Sequence, residues 1–388
     1  MPVKDEEDIV DKKKRELRKK KFRKFLVFLL IIAVGFILYV TKDSWYNKLR
    51  GIGDQYRTIV NSGQLAEGNF PIEVGNGNEY QLVRSGKNII VLSDSYTYYY
   101  DTEGNLLKKR QHTYTNSVIY TSGSKTLVYE SRGSRLSVED DKDVFYKKEF
   151  DNNILFARIS PEGYTGVVTT SDSYNCEMYV YDKKGEIVYE RKCIELVSDL
   201  SFMNDSSGCV ISYIQAENGT LVTTVECVDF STDNSIWKSQ GINTVGLELY
   251  GYKNGAFVLG MSACGYLDES GQISSFYQYD GDMKGGSSSE GKSAVIINND
   301  DRRRYVAVLF SDSNSQPLEI ELETPAVDVT VSGGLAYVLT QQHMMAYDFN
   351  GGLRSTADVS DSYTGFVKNG RHVYLKSYKK IDRIDFES

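Results

Sequence analysis

The octapeptide GSSSEGKS, Gly286 to Ser293, has the spacing of a phosphate-binding P-loop, in which backbone N–H groups and a lysine surround the phosphates of a nucleotide. Such a loop needs a buried strand before it and a helix after it. Here the preceding stretch, YQYDGDMKG, is typical of a turn, and the following stretch, AVIINNDD, is typical of a β-strand. The sequence therefore predicts no nucleotide site, and MKGGSSSEGKS is interpreted as a loop with a poorly formed first strand.

Other residue types that carry chemistry are scattered along the chain. Three Ser-x-x-Lys spacings match the nucleophile and base of Ser-Lys hydrolases, and chance explains them in a chain rich in both residues: Ser122 and Lys125, Ser289 and Lys292, Ser377 and Lys380. None of the three histidines has a second His or a Cys at metal-ligand spacing: His112, His343 and His372. The short acidic turns lack the twelve-residue calcium-loop pattern. We therefore predict no catalytic, cofactor-binding or metal-binding residue and no cofactor.

The five cysteines are more informative. Folding the chain about the AENG turn, residues 216 to 219, sets Cys209 and Cys227 nearly opposite each other, at a Cα separation that a disulfide can span. Cys176 and Cys193 flank another hairpin in a similar way, two residues off register. A Cys209–Cys227 disulfide would persist outside the cytoplasm. Two buried free thiols are the alternative.

The N-terminal region predicts a membrane anchor. Residues 25–40 form a run of sixteen residues without a charge, and ten lysines and arginines lie just before it, between Lys12 and Lys24. Because positive charge stays in the cytoplasm, we expect a basic cytoplasmic tail (1–24), one transmembrane helix (25–41) and a partly helical stalk (42–69). The remainder then lies outside the cell membrane. A cleavable signal peptide is the alternative, since Ala33-Val34-Gly35 has a small-x-small spacing.

A pattern of about forty residues recurs after the stalk. Its clearest copies are four Asp-x-x-Gly turns between β-runs, with the aspartates at 101, 182, 268 and 348, separated by 81, 86 and 80 residues. The Asp side chain bonds the backbone ahead of it, and the Gly takes the left-handed conformation that closes the loop. Each interval spans two units, and weaker turns supply the units between: Asp140, Asp229 and Asp312.

Each unit can be divided into four short strands, and residues 69–388 show no sustained 3.6-residue period. The 29 tyrosines and only 5 prolines also favour strands. We therefore predict an all-β fold, an eight-bladed β-propeller over residues 70–388, with a seven-bladed propeller as the alternative. Seven units end near Val359, the C-terminal tail adds three strands, and Phe70 to Val74 supplies a fourth that would close the ring.

The unit GGLAYVLTQQHMMAYDFNGGL resembles the repeat of the quinoprotein-like and outer-membrane-assembly propellers. The layout of basic tail, single span and tyrosine-rich repeats is similar to an uncharacterised family of membrane-anchored propellers in Gram-positive bacteria. The units lack the Trp that commonly ends the quinoprotein repeat, and no quinone or metal ligand matches residue by residue. The resemblance therefore implies the fold and carries over no cofactor.

Two functions fit this pattern. The first is a non-catalytic docking or scaffold domain for an envelope protein or a cell-wall polymer, tied to the lipid bilayer by one helix and binding no nucleic acid and no nucleotide. Tyrosine clusters such as Tyr96, Tyr98, Tyr99 and Tyr100 could stack on wall sugars, although strand propensity explains most of them. The alternative is a cell-envelope hydrolase or quinone-dependent dehydrogenase with its site at the propeller mouth.

Overall fold

The computed structural model describes residues 69–74, 79–232, 234–253 and 255–386. They lie within one compact unit, residues 59–388. The predicted tail, transmembrane helix and nearly all of the stalk lie outside the described residues. Within the described ranges, no helix has the length and apolar character needed to cross a membrane.

The described residues form thirty-two strands in eight four-stranded antiparallel sheets. A short strand, β1 (Ile72–Glu73), precedes seven sheets of consecutive strands. Sheet 1 contains β2 (Gln81–Ser85), β3 (Asn88–Leu92), β4 (Tyr96–Tyr100) and β5 (Leu106–Gln111). Sheet 2 contains β6 (Ser117–Ser122), β7 (Lys125–Glu130), β8 (Arg135–Glu139) and β9 (Val144–Glu149). Sheet 3 contains β10 (Ile154–Ile159), β11 (Thr165–Thr169), β12 (Cys176–Tyr181) and β13 (Ile187–Cys193).

Sheet 4 contains β14 (Leu196–Phe202), β15 (Gly208–Glu217), β16 (Thr220–Asp229) and β17 (Ser235–Lys238). Sheet 5 contains β18 (Gly246–Tyr252), β19 (Gly255–Gly260), β20 (Ala263–Leu267) and β21 (Ile273–Gln278). Sheet 6 contains β22 (Asp282–Ser289), β23 (Lys292–Asn299), β24 (Arg304–Phe310) and β25 (Leu318–Leu322). Sheet 7 contains β26 (Ala326–Ser332), β27 (Leu335–Thr340), β28 (His343–Asp348) and β29 (Leu353–Asp358). Sheet 8 contains β30 (Tyr363–Asn369), β31 (His372–Ser377), β32 (Lys380–Asp385) and β1.

The core lies between the sheets. The second strand of each sheet is largely buried, as in β7 (KTLVYE), and several third strands are as well, whereas the outermost strands expose much of their length, as in β9 (VFYKKE). The buried apolar side chains form eight clusters, and each cluster joins two neighbouring sheets, including sheet 8 with sheet 1. A strand buried on both faces reads as a continuous apolar run, which explains the composition of the middle strands. The sheets thus pack around a closed ring.

The ring is closed by strands from both ends of the propeller. In β1, Ile72 lies opposite Ile381 and Glu73 lies opposite Lys380, so the N-terminal strand completes sheet 8. The Phe70 ring packs on the Tyr374 ring at a centroid distance of 5.8 Å. The prediction of eight blades closed by residues 70–74 is confirmed, and the seven-bladed alternative is wrong.

The repeated aspartates close the hairpins between the third and fourth strands, as the sequence predicts. In sheet 3, Asp182 Oδ1 accepts hydrogen bonds from the N–H groups of Lys184 at 2.8 Å and Glu186 at 2.9 Å. Gly185 has a φ of 85°, in the left-handed region that a side chain disfavours. The weaker turns also contain Asp side chains that accept backbone N–H groups, at Asp140, Asp229 and Asp312. All of these turns lie at one end of the sheets, which we call the lower face; the loops between second and third strands and between sheets form the upper face.

Candidate docking face and central channel

The first strand of each sheet faces the central channel, and six of these eight strands contain a β-bulge near their start. Register shifts interrupt β10, β14, β18, β22, β26 and β30, whereas β2 and β6 pair without one. The residue after the shift is an acid in three of them: Asp199, Glu248 and Asp328. A bulge changes the direction of the side chain that follows it. Because the bulges occupy equivalent positions in these strands, the three acids lie at the same height along the channel.

Two of these acids tie neighbouring first strands together. Asp199 Oδ2 accepts the Leu249 N–H of the next sheet at 2.8 Å, and Asp328 Oδ2 accepts the Phe366 N–H at 2.9 Å. In sheet 1, which has no bulge, the Gln81 side chain makes the equivalent link, donating to the Ser117 carbonyl at 2.7 Å. First strands of neighbouring sheets share no ladder, so these side chains satisfy backbone groups that would otherwise be unpaired.

Of the three bulge acids, Asp199 is buried and Asp328 is half-buried. Arg158 Nη2 lies 2.7 Å from Asp199 Oδ1. Burial raises the pKa of Asp199 to about 6, and the Arg158 charge opposes this rise. Burial likewise raises the pKa of Asp328 to about 6, against hydrogen bonds from the Phe366 and Val329 amides. These acids are engaged in holding the inner ring together, so we assign them a structural role.

At the upper face the channel opens into a cavity of about 1000 Å³ beside sheets 8, 1 and 2. Its lining includes Glu79, Asp94, Lys376 and Tyr378. Tyr80 closes one wall, where its hydroxyl donates to the Ser377 carbonyl at 2.7 Å. The cavity is polar and open, and its two acids and one lysine point to no single ligand class.

Exposed apolar side chains are distributed unevenly over the described residues. Among these residues, all the large exposed ones lie either on fourth strands or on the upper face, and the described parts of the lower-face loops have none. Six of the upper-face residues belong to sheets 3 to 5 or the loops beside them, with exposures from 40% to 74%. We call these six the apolar patch: Tyr174, Ile194, Leu196, Leu221, Leu247 and Met261.

A long hairpin rises beside the apolar patch. The strands β15 and β16 have ten residues each, whereas the other second and third strands have five to eight. Asn218 and Gly219 form its two-residue tip with φ angles of 51° and 82°, as in a type I′ turn. Leu221 follows this tip and is 54% exposed. The hairpin thus extends the upper face of sheet 4 and presents an apolar side chain near its end.

The GSSSEGKS segment is a β-hairpin. Residues 286–289 end β22, residues 292 and 293 begin β23, and Glu290 and Gly291 form the turn. The prediction that this is not a P-loop is confirmed, as is the strand over AVIINN, but the first strand is well formed rather than a loop. Its glycine has a packing reason, because a Cβ on Gly286 would lie 2.7 Å from the Leu259 side chain of the neighbouring sheet.

The three Ser-x-x-Lys pairs are likewise hairpin ends. Ser122 pairs with Lys125 and Ser289 pairs with Lys292 across two-residue turns. Ser377 Oγ donates to the Lys380 carbonyl at 3.0 Å. A spacing of three residues is what a two-residue hairpin imposes on its flanking residues, so the pattern reflects turn geometry.

The histidines lie apart from one another. His112 contacts the Ser93 carbonyl at 3.0 Å, while His343 and His372 lie 3.0 Å and 2.7 Å from single aspartates. In the described ranges no group of three His, Cys, Asp or Glu side chains is placed to hold a metal ion. The tyrosines of β4 alternate, with Tyr99 buried in the core and bonded to Glu139 at 2.8 Å, and Tyr98 stacked on Tyr100 at 6.4 Å.

The proposed pairing of Cys209 with Cys227 is wrong by one residue. Cys209 lies opposite Val228, and Cys227 lies opposite Val210. The hairpin turns at residues 218 and 219, one residue away from the centre assumed from the sequence, and a slip of one residue puts the two side chains on opposite faces. They pack in different clusters, and both are free thiols.

The sequence predicts that Cys176 and Cys193 are two residues off register, but the structure aligns them. Cys176 lies directly opposite Cys193, because a register shift at Val180 and Tyr181 corrects the offset. Both free thiols are buried in the same cluster between sheets 3 and 4. A hydrogen bond from Cys193 lowers the pKa of the Cys176 thiol, which favours the nucleophilic thiolate. Directly opposed residues have Cβ atoms about 4.5 to 5.5 Å apart, close to disulfide geometry.

We therefore predict that oxidised glutathione will join Cys176 to Cys193 and release reduced glutathione. The linked peptide should weigh two hydrogen atoms less than its two reduced parts. Mass spectrometry after denaturation and alkylation without reductant should find Cys209, Cys227 and Cys264 alkylated. A Cys209–Cys227 peptide would contradict the register, and alkylation of all five thiols would contradict the predicted Cys176–Cys193 disulfide.

The fold has solved counterparts of low sequence identity. BamB from Moraxella catarrhalis matches with a TM-score of 0.54 and 14% identity, covering 83% of this chain and 100% of that chain. Sqt1 from Saccharomyces cerevisiae matches with a TM-score of 0.61 and 9% identity, covering 84% and 100%. A chain of the Mitotic Checkpoint Complex matches with a TM-score of 0.51 and 10% identity, covering 79% and 94%. At these identities the likeness shows the fold alone.

A comparison with curated proteins found no match. A family profile described as "Family of unknown function (DUF5711)" matches residues 66–386, which include the whole ring from the closing strand β1 to the end of β32. The chain therefore belongs to this family.

Proposed function

We propose that this protein is a non-catalytic docking propeller that holds another protein on its upper face. The apolar patch carries the proposal. Six large apolar side chains on three consecutive sheets remain exposed to water at one end of the ring, while the described residues of the lower-face loops expose none. Large apolar side chains are unfavourable in water, and their concentration on sheets 3 to 5 favours an interaction surface at this end of the ring.

The composition of the patch favours a protein over a wall polymer. Sugars are recognised by aromatic rings that stack on them, and Tyr174 is the one aromatic residue among the six. The others are aliphatic or thioether side chains, which fill the apolar centre of protein interfaces. The raised hairpin β15–β16 adds a wall against which a partner can pack. A similar propeller is a chain of the Mitotic Checkpoint Complex, which supports docking as a use of this fold.

The proposal places the propeller outside the cell membrane on a single anchor, residues 25–41. The support comes from the sequence, where the basic residues precede the uncharged run and the acidic body follows it. A partner would then be another envelope protein. Absence of catalysis is part of the same proposal, and purified protein should turn over no ester, glycoside or peptide substrate with or without calcium and quinone.

A photo-crosslinking amino acid at Ile194, Leu221 or Met261 should capture the same envelope protein in living cells. The matched control is Ile187, a 56% exposed apolar residue on the fourth strand of sheet 3, which should give at least tenfold less of that product. The captured protein, once purified, should lose binding to a Leu221→Asp variant and keep binding to Ile187→Asp. Equal capture from patch and control positions would refute the docking face.

The same cells test the proposed location. Protease added from outside should degrade the propeller while leaving cytoplasmic proteins intact. Protection of the propeller would overturn its placement outside the membrane, and the crosslinking result would still decide whether the apolar patch docks a protein.

A further inference from the structure

The lower end of the channel contains a second cavity, of about 600 Å³. It is formed by the ends of the first strands of sheets 6, 7, 8, 1 and 2. Six hydroxyl side chains line it: Thr121, Ser122, Ser287, Ser289, Thr330 and Ser332. The charged residues of its described lining are Arg84 and Lys368, with no Asp or Glu. In a chain with a formal net charge of −8, a cavity whose only charges are positive is unexpected.

Lys368 is buried in the wall of this cavity without an acidic partner. Its side chain belongs to a residue only 4% exposed, and its Nζ donates to the Gly370 carbonyl and lies 4.8 Å from the centre of the Tyr337 ring. No carboxylate of the described residues lies within ion-pair distance of it. Asp328, the nearby channel acid, bonds the Phe366 amide and has its negative charge stabilised by Lys376.

A buried cation without a counter-charge is costly, and here a second cation adds to the cost. Burial and the neighbouring Arg84 charge lower the pKa of Lys368 to about 8, which means that its surroundings disfavour the charged ammonium group. An anion in the cavity would offset both the burial and the repulsion. Hydroxyls supply the additional donors that a multi-oxygen anion requires, and those of Ser289, Thr330 and Ser332 are half-buried lining groups.

We infer that the lower channel mouth binds a tetrahedral oxyanion, phosphate or a phosphate ester, between Arg84, Lys368 and the hydroxyls of sheets 6 and 7. Ser287 and Ser289 come from the GSSSEGKS segment, yet the site is not a P-loop. The backbone of that segment pairs with β23, and Lys292 Nζ lies 5.0 Å from the centre of the Phe349 ring. The site lies at the opposite end of the channel from the docking face and does not depend on it.

Thermal unfolding and calorimetry of the full chain, in detergent at constant ionic strength, test the site. Inorganic phosphate and glycerol phosphate should both bind and raise the melting temperature, whereas acetate should do so at least tenfold more weakly. Tighter binding of glycerol phosphate would point to an ester as the natural source, and tighter binding of inorganic phosphate would point to the free ion.

Arg84→Met and Lys368→Met should each weaken phosphate binding at least tenfold, since each removes a charge-assisted hydrogen bond. Lys292→Met is the matched control and should change binding less than twofold. Without phosphate, Lys368→Met should melt at or above the wild-type temperature, because it removes an unpaired buried charge. If Lys368→Met does not fold, the exposed Arg84→Met still decides the matter. Equal response to acetate, or full phosphate binding by the Arg84 variant, would overturn the site.

Discussion

Replacing Ile72 with Asp will destabilise the whole propeller, by about 3 to 5 kcal/mol in the free energy of unfolding. Ile72 is 7% exposed, lies opposite Ile381, and packs in the cluster between sheets 8 and 1. A carboxylate there is desolvated without a partner, so β1 will leave sheet 8. The β32 edge of sheet 8 then stays unpaired. Urea unfolding of the full chain, followed by tryptophan and tyrosine fluorescence, measures the loss.

Glu73→Ala is the control for that experiment, because Glu73 is the exposed neighbour in the same two-residue strand. It should change the unfolding free energy by less than about 0.5 kcal/mol. The open edge of β32 should also promote self-association of the Ile72 variant, since an unpaired strand edge is a template for another chain. A monomeric variant of wild-type stability would show that the closing strand contributes little.

Replacing Arg158 with Met will also be strongly destabilising, and this loss will depend on pH. At pH 8 the change leaves the buried Asp199 carboxylate without its cation, which costs about 3 to 5 kcal/mol. The pKa of Asp199 in the folded protein, about 6, is already above the ordinary value near 4, and removing the Arg158 charge raises it further. Native Asp199 therefore binds a proton more tightly than the unfolded chain does, and lowering the pH from 8 to 5 will recover part of the loss.

Urea unfolding of wild type and variant should be measured at pH 8 and pH 5. The difference between the two proteins isolates the contribution of Asp199, because all other titrating groups are common to both. We expect the difference between them at pH 5 to be at most half of that at pH 8. Arg302→Met is the control, since this guanidinium is mostly exposed, 4.0 Å from Asp280, and its removal should have little effect at either pH. An equal loss at both pH values would mean that Arg158 acts only through packing.

Local patterns in the sequence were sufficient for the blades. An Asp three residues before a Gly specifies a hairpin because the Asp side chain accepts hydrogen bonds from the backbone N–H groups that follow it, as Asp182 and Gly185 show. Such a turn needs only residues that are close together in the sequence. The strand at residues 70–74 had no partner nearby in the sequence, and the last unit had only three strands. The prediction that these elements pair therefore came from the number of strands in the units and not from a local pattern.

Register was where local reasoning failed. Moving the turn of β15–β16 by one residue reversed the relation of Cys209 and Cys227, and a bulge that no spacing indicates aligned Cys176 with Cys193. Both outcomes depend on which side chains the neighbouring sheets bury, because a one-residue shift exchanges the two faces of a strand. The strand β22 was also misjudged, because its glycines and serines are typical of a loop. Its position as a strand depends on packing with the neighbouring sheet, where Leu259 lies against Gly286.

The sequence by itself determined an all-β repeat of eight units and the strand that closes it, because those features rest on bonds and alternation within a few residues. It also carries the prediction of a membrane anchor, which lies outside the described residues. Only the tertiary structure decided which side chains share a surface. Arg84 and Lys368 meet because sheets 1 and 8 become neighbours when the ring closes, and the apolar patch exists because three units forty residues apart turn the same end to solvent. Contacts of this kind depend on the packing of whole sheets, which no short stretch of sequence encodes.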